Sequence, residues 1–140
     1  MRRTVTRLCT VLAFVACATT AVAQEPRGYD CTFDAGIIRT FENGAFTNKA
    51  AKKLIFEIGE IDLRAQTASL VTAKGTGDLR IVRAIGANHF LEVVTEGFLN
   101  ITTIYATQDV KGPRPAVHSR HFGLFGTPVV SQYQGTCRSK

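Results

Sequence analysis

Leu79-Arg80-Ile81-Val82-Arg83-Ala84-Ile85-Gly86-Ala87-Asn88-His89-Phe90-Leu91-Glu92-Val93 is the stretch whose periodicity decides the fold class. Leu79 and Ile81 fall on one face of an extended chain, and Leu91 and Val93 share a face of the next. Between them Gly86-Ala87-Asn88 supplies residues that tolerate positive φ. Two alternating runs joined by a short Gly/Asn tract read as an antiparallel hairpin.

The same rhythm continues in both directions. Candidate strands run from Tyr29 to Asp34, Ile37 to Phe41, Lys53 to Ile58, Thr67 to Ala73 and Leu79 to Ile85. They continue with His89 to Glu96, Phe98 to Ala106, Ala116 to Leu124 and Val129 to Thr136. Leu54, Phe56 and Ile58 alternate, as do Leu99, Ile101, Thr103 and Tyr105. Parity slips after Gly59, where Ile61 and Leu63 switch face, so a bulge or turn is expected there. Lys74-Gly75-Thr76-Gly77-Asp78 and Glu96-Gly97 read as hairpin tips, and Lys111-Gly112-Pro113-Arg114-Pro115 as a loop, because prolines cannot donate to a ladder. Phe46 to Lys53 is the one segment read as a short helix, with Thr47 or Asn48 as cap. The expected fold is all-β: a single antiparallel meander of about eight strands, closed as a small barrel or flattened sandwich.

The first 23 residues belong to a different class. Arg2, Arg3 and Arg7 precede an apolar run from Leu8 to Ala18, followed by Ala21-Val22-Ala23. A basic start, a short apolar run and an A-x-A site read as a secretory signal peptide, with one β domain from residue 24 to 140. The apolar run is too short for a membrane span, which takes about 20 residues. Phe14-Val15-Ala16-Cys17 loosely resembles a lipobox that would place a lipid on Cys17, but the complete A-x-A site favours simple cleavage. Residues 1–23 hold three arginines and no acid, so the net charge falls from +6 to about +3 on cleavage. A mild, scattered excess of this kind excludes a nucleic-acid reading.

Cysteine usage agrees with export. Cys9 and Cys17 leave with the leader, so Cys31 and Cys137 remain and are expected to form one disulfide joining the two ends. The expected compartment is periplasmic or secreted, and the expected state a monomer.

Chemistry-bearing residues concentrate in Val117-His118-Ser119-Arg120-His121-Phe122. On a regular strand His118 and Arg120 share one face, and Ser119 and His121 the other. A metal site or a nucleophile–base pair built from His118, Ser119 and His121, with His89 or Asp109 assisting, would need a bulge. No G-x-S-x-G elbow and no zinc-ligand spacing are present. The bland reading gives Arg120 a carboxylate partner and the histidines backbone partners. Glu57 with Glu60, and Glu92 with Glu96, read as solvated surface, Gly75-Thr76-Gly77 as a hairpin tip, and the sequon Asn100-Ile101-Thr102 as incidental. Phe41, Phe46, Phe90, Phe98, Tyr105, Phe122, Phe125 and Tyr133 are read mainly as core. Phe122 and Phe125, beside Gly123, Gly126 and Pro128, are candidates for an exposed recognition edge.

Tyr29-Asp30-Cys31, Gly135-Thr136-Cys137, the run Ala116 to His121 and Val130-Ser131-Gln132-Tyr133 resemble motifs of small exported bacterial β-domain proteins without an assigned activity. The chain is also loosely similar to the periplasmic inhibitors of c-type lysozyme, although their Ser-Gly-x-x-Tyr loop is absent. That resemblance implies a small disulfide-bearing β-barrel. The combined expectation is an exported binding or inhibitor-like domain that is not an enzyme and holds no cofactor or metal. His118, Arg120, Phe122 and Phe125 are the binding candidates, and a protein, a cell-wall glycan or a small apolar ligand is the partner. The alternatives are a hydrolytic or metal-assisted enzyme on the His118–His121 strand, and a purely structural envelope protein.

Overall fold

Alternation along Tyr29–Glu42 produces one long strand, β1, whose inner face carries Tyr29, Cys31 and Phe33, all at most 1% exposed. Asp34 and Ala35 both face outward, and the inward pattern resumes at Gly36. This is a β-bulge: pairing with the last strand shifts by one residue between Thr32 and Ala35. The two short strands expected from the sequence are therefore one strand bent by the bulge. Ala35-Gly36 is not a turn, because both halves keep pairing with the same neighbour.

The computed structural model describes residues 26–94, 98–109, 111–124 and 126–140. The expected leader, with Cys17, and Phe125 lie outside these residues. Nine strands occupy most of the described chain: β1; β2, Ala45–Ala50; β3, Leu54–Asp62; β4, Thr67–Thr72; β5, Gly75–Ala84; β6, Ala87–Val94; β7, Phe98–Tyr105; β8, Arg114–Leu124; and β9, Thr127–Ser139. All pairings are antiparallel. β1 pairs β9 and closes an eight-stranded barrel, while β2 is an extra strand on the second half of β1, following the track of β3.

The helix expected over Phe46 to Lys53 is instead strand β2. Asn43 and Gly44 take φ of 51° and 79°, the turn geometry that folds the chain straight back on β1. Eight residues gain little from forming a helix alone, whereas pairing with β1 satisfies their backbone at once. The loop expected through Pro115 is also shorter than read: Pro115 lies in β8 opposite Thr136. The slip after Gly59 is a bulge, with Glu60 at φ 50° and the β3–β4 register shifting between Gly59 and Asp62.

Inside the barrel Phe33 stacks on Phe56 at 5.4 Å, and Tyr29 meets Phe90 edge-on at 6.2 Å. Ile58, Leu79, Ile81, Ile104 and Tyr133 complete most of the core. Phe41, Phe46, Phe98 and Tyr105 are 39–54% exposed, so the aromatic set read as core divides between inside and outside. Cys31 and Cys137 are register partners across β1 and β9 and form the disulfide, 106 residues apart in sequence. Closing so long a loop is worth about 4–5 kcal/mol in the chain-entropy model.

Candidate functional site

Strand β8 is regular through its central residues, pairing His118 with Tyr133, Arg120 with Ser131 and His121 with Val130. The consequence of period two is direct: His118 points into the barrel and is 3% exposed, while His121 lies on the outer face and is exposed. The constellation of His118, Ser119 and His121 is thus not assembled. Ser119 shares the outer parity with His121, and Asp109 sits in the loop after β7, where its Oδ1 accepts the Lys111 backbone N–H. His89 contacts the Thr103 hydroxyl at 2.9 Å, one strand pair away from β8. Among the described residues no three metal-ligating side chains converge.

Register gathers instead a set that crosses several strands. One layer contains Ile81, Phe90, Thr102, His118, Tyr133 and Gly36, each paired with the next. His118 is packed there among rings, with centroids 5.2 Å from Phe56, 5.8 Å from Phe33 and 5.9 Å from Tyr133. Both ring nitrogens are engaged. The Arg120 Nε–H donates to Nε2 at 3.0 Å, and Nδ1 lies 2.9 Å from the Thr102 hydroxyl oxygen. Arginine has only donors, so Nε2 must accept and the proton resides on Nδ1, which donates to Thr102. Burial, and secondarily the charge of Arg120, lower the His118 pKa from 6.5 to about 3. The ring is a neutral bridge at ordinary pH.

The next layer toward the Asn43-Gly44 end is polar. Glu92 pairs Asn100, Asn100 pairs Arg120, Arg120 pairs Ser131, Ser131 pairs Ile38, and Ile38 pairs Lys49. Asn100 Nδ2 donates to Glu92 Oε2 at 2.6 Å, which turns the sequon asparagine into the barrel. The Arg120 guanidinium lies over the Tyr133 ring at 5.8 Å. The carboxylate partner expected for Arg120 is absent among the described residues; its Nε is bonded to His118 and its Nη edge forms no ion pair there.

Above that layer Phe122 stacks on Phe98 with centroids 5.1 Å apart. Phe122 and Val129, with Leu99, His121, Pro128 and Val130, border an apolar cleft of about 430 Å³ at the tip of β8 and β9. Of the binding candidates, His118 is buried support, Arg120 is a half-buried cation held by it, and Phe122 is rim. Thr102, Glu92, Asn100, Ser131 and Tyr133 escaped the sequence reading because only strand register brings them beside β8. No family model, curated protein or solved structure matches this chain.

Proposed function

We propose that this chain is an exported, non-catalytic binding domain that engages its partner at the Asn43-Gly44 end of the barrel. The observation that carries the reading is Arg120. Its Nε is tied to a buried neutral histidine, which leaves the Nη edge oriented and without a carboxylate partner among the described residues. A preoriented guanidinium beside an aromatic rim suits a partner that offers hydrogen-bond acceptors next to an apolar surface. A protein, a cell-wall glycan and a small apolar ligand bearing a polar group all meet that description. Non-catalytic binding is favoured because His118 has both nitrogens committed and exchanges no proton near neutral pH. Export is supported by the leader pattern and by the disulfide.

The test is native mass spectrometry of wild type and Arg120→Ala, purified gently from the exporting host. The expected wild-type mass is that of residues 24–140 less two hydrogens. A retained partner should be depleted at least tenfold in Arg120→Ala. An intact leader in the purified protein overturns export. A partner held equally by both proteins overturns the assignment of this end.

A further inference from the structure

Strand β2 stands at the end of the sheet order, and among the described residues no strand pairs its second edge. All six of its residues, Ala45–Ala50, are exposed. The Ala51 N–H donates to the Gly36 carbonyl at 2.9 Å, so residue 51 bonds toward β1. Bonding direction alternates along an antiparallel strand. Ala45, Thr47 and Lys49 therefore bond β1, while Phe46, Asn48 and Ala50 turn three N–H and three C=O groups to the open edge. Such an edge is a template for another strand unless proline, a bulge or charge blocks it. β2 has no proline, pairs β1 without a register shift from Ala45 to Ala50, and carries Lys49 as its single charge.

The side chains fit a second copy of the same strand. Ile38 pairs the buried Ser131 on the inward parity, so Ile37, Arg39 and Phe41 lie on the outer face. Their partners on β2, Ala50, Asn48 and Phe46, share that face. Phe46, Ile37 and Phe41 are 54%, 42% and 40% exposed. A two-fold axis at Asn48 aligns every outward backbone group of one β2 with a partner on the other, antiparallel. Asn48 then meets Asn48 of the second copy, and Phe46 meets its Ala50, a large ring beside a small residue. The Phe41–Phe46 pair, edge-on at 5.1 Å, continues into Ala50 and Ile37 of the other chain, and symmetry repeats the row.

Charge is compatible with the same register. Lys49 stands opposite Thr47 of the second copy and one row from its Glu42; neither Lys49 nor Glu42 forms an ion pair among the described residues. The two Arg39 residues are three strand spacings apart, about 14 Å, beyond the screening length at 0.1 M salt.

We propose that this chain forms a two-fold dimer by pairing β2 with β2 of a second copy, centred on Asn48. A six-residue edge buries less than the roughly 1,200–2,000 Å² of stable complexes, so the dissociation constant is on the order of 0.1 mM. The monomer expected from the sequence is then one side of an equilibrium. The proposal does not rest on the reading of Arg120, which lies on the inward parity of β8.

The experiment is sedimentation equilibrium of the full, disulfide-bonded protein over a concentration series spanning that constant, with amide hydrogen exchange at both ends of the series. Expected are a monomer–dimer equilibrium and exchange at Phe46, Asn48 and Ala50 at least threefold slower at the high end. Thr47 and Lys49, already bonded to β1, should not change. Asn48→Pro removes an N–H that points away from β1, so the hairpin survives. It should weaken dimerisation at least tenfold. Should that variant lose β2, cross-linking decides. Asn48→Cys places two thiols across the axis at a Cα separation of about 5.5 Å, which a disulfide spans. Ala45→Cys lies six residues out of register with its counterpart and should cross-link at least tenfold more slowly. A protein that stays monomeric throughout overturns the proposal, as does assembly beyond a dimer. So do undiminished association of a folded Asn48→Pro and equal cross-linking of the two cysteine variants.

Discussion

Arg120 Nε and His118 Nε2 lie 3.0 Å apart, and that one bond fixes the tautomer of a buried ring and the direction of a half-buried cation. The chain of consequence runs through three strands. Thr102 on β7 receives the Nδ1 proton, His118 on β8 presents Nε2 toward the polar layer, and Arg120 two residues later is steered over Tyr133 on β9. Each link follows from parity: residues 118 and 120 share a face, and register sets Thr102 and Tyr133 on either side of His118.

Stability should fall as pH falls from about 6.5 toward 3, in part through His118. The folded pKa is about 3 and the unfolded value 6.5, so between them the unfolded chain binds the extra proton. The stabilisation is full above 6.5 and is lost progressively as pH drops toward 3. At about 1.4 kcal/mol per unit, the whole effect is on the order of 5 kcal/mol. Denaturant titrations at several pH values, comparing wild type with His118→Gln, measure it. The difference between the two proteins should shrink as the pH is lowered, and a pH-independent difference refutes the account.

Arg120→Ala should raise the His118 pKa only part of the way to 6.5. Burial is the larger cause of the depression and the Arg120 charge the smaller, so the variant removes the smaller share. An NMR titration of the ring carbons reads this directly. A return to an ordinary histidine value in the variant would mean that burial contributes little.

Removing the disulfide by Cys31→Ser with Cys137→Ser should cost about 2–5 kcal/mol, measured by urea unfolding. The cysteines join β1 to β9, the pair that closes the barrel, so the loss acts on closure itself. Strand pairing between β1 and β9 continues beyond the cysteines to Thr40 and Val129, and the reduced protein should therefore keep its β-rich circular dichroism at low temperature.

The alternation of residues 79–93 and the two cysteines made the antiparallel meander and its joined ends legible from the sequence, while the choice of a closed barrel over a sandwich rests on the β1–β9 pairing. Parity also separated His118 from His121 and joined His118 to Arg120. The bulge in β1 was hidden because Asp34-Ala35-Gly36 carries the composition of a turn, and only pairing with Gln134 and Tyr133 reveals a continuous strand. Strand β2 had a readable signal in Asn43-Gly44 flanked by Phe41 and Phe46, which pack edge-on at 5.1 Å. The carboxylate expected beside Arg120 does not appear among the described residues, because Glu92, in the same layer, accepts from Asn100 instead. The start of β8 at Arg114 was hidden by the two flanking prolines, which read as loop.

Two glycines should respond to alanine in opposite degrees. Gly135 lies where the β1 bulge crosses β9, and a Cβ there would collide with the Thr32 carbonyl oxygen and approach Phe33 Cα at 2.7 Å. Both obstacles are backbone, so neither can move without breaking the β1–β9 pairing that carries the disulfide. Gly135→Ala should cost about 3 kcal/mol or more, at the upper end of single-substitution effects. Gly44 has φ of 79° and nothing within 4 Å of the added carbon. Gly44→Ala meets only the left-handed backbone penalty, about 1 kcal/mol. It acts on β2, which lies outside the closed barrel. Urea midpoints compare the two, and hydrogen exchange localises the second: protection should fall along β2 and the facing half of β1 while β4 to β7 are unchanged. Equal midpoint losses for the two variants would show that β2 and the barrel unfold as one unit.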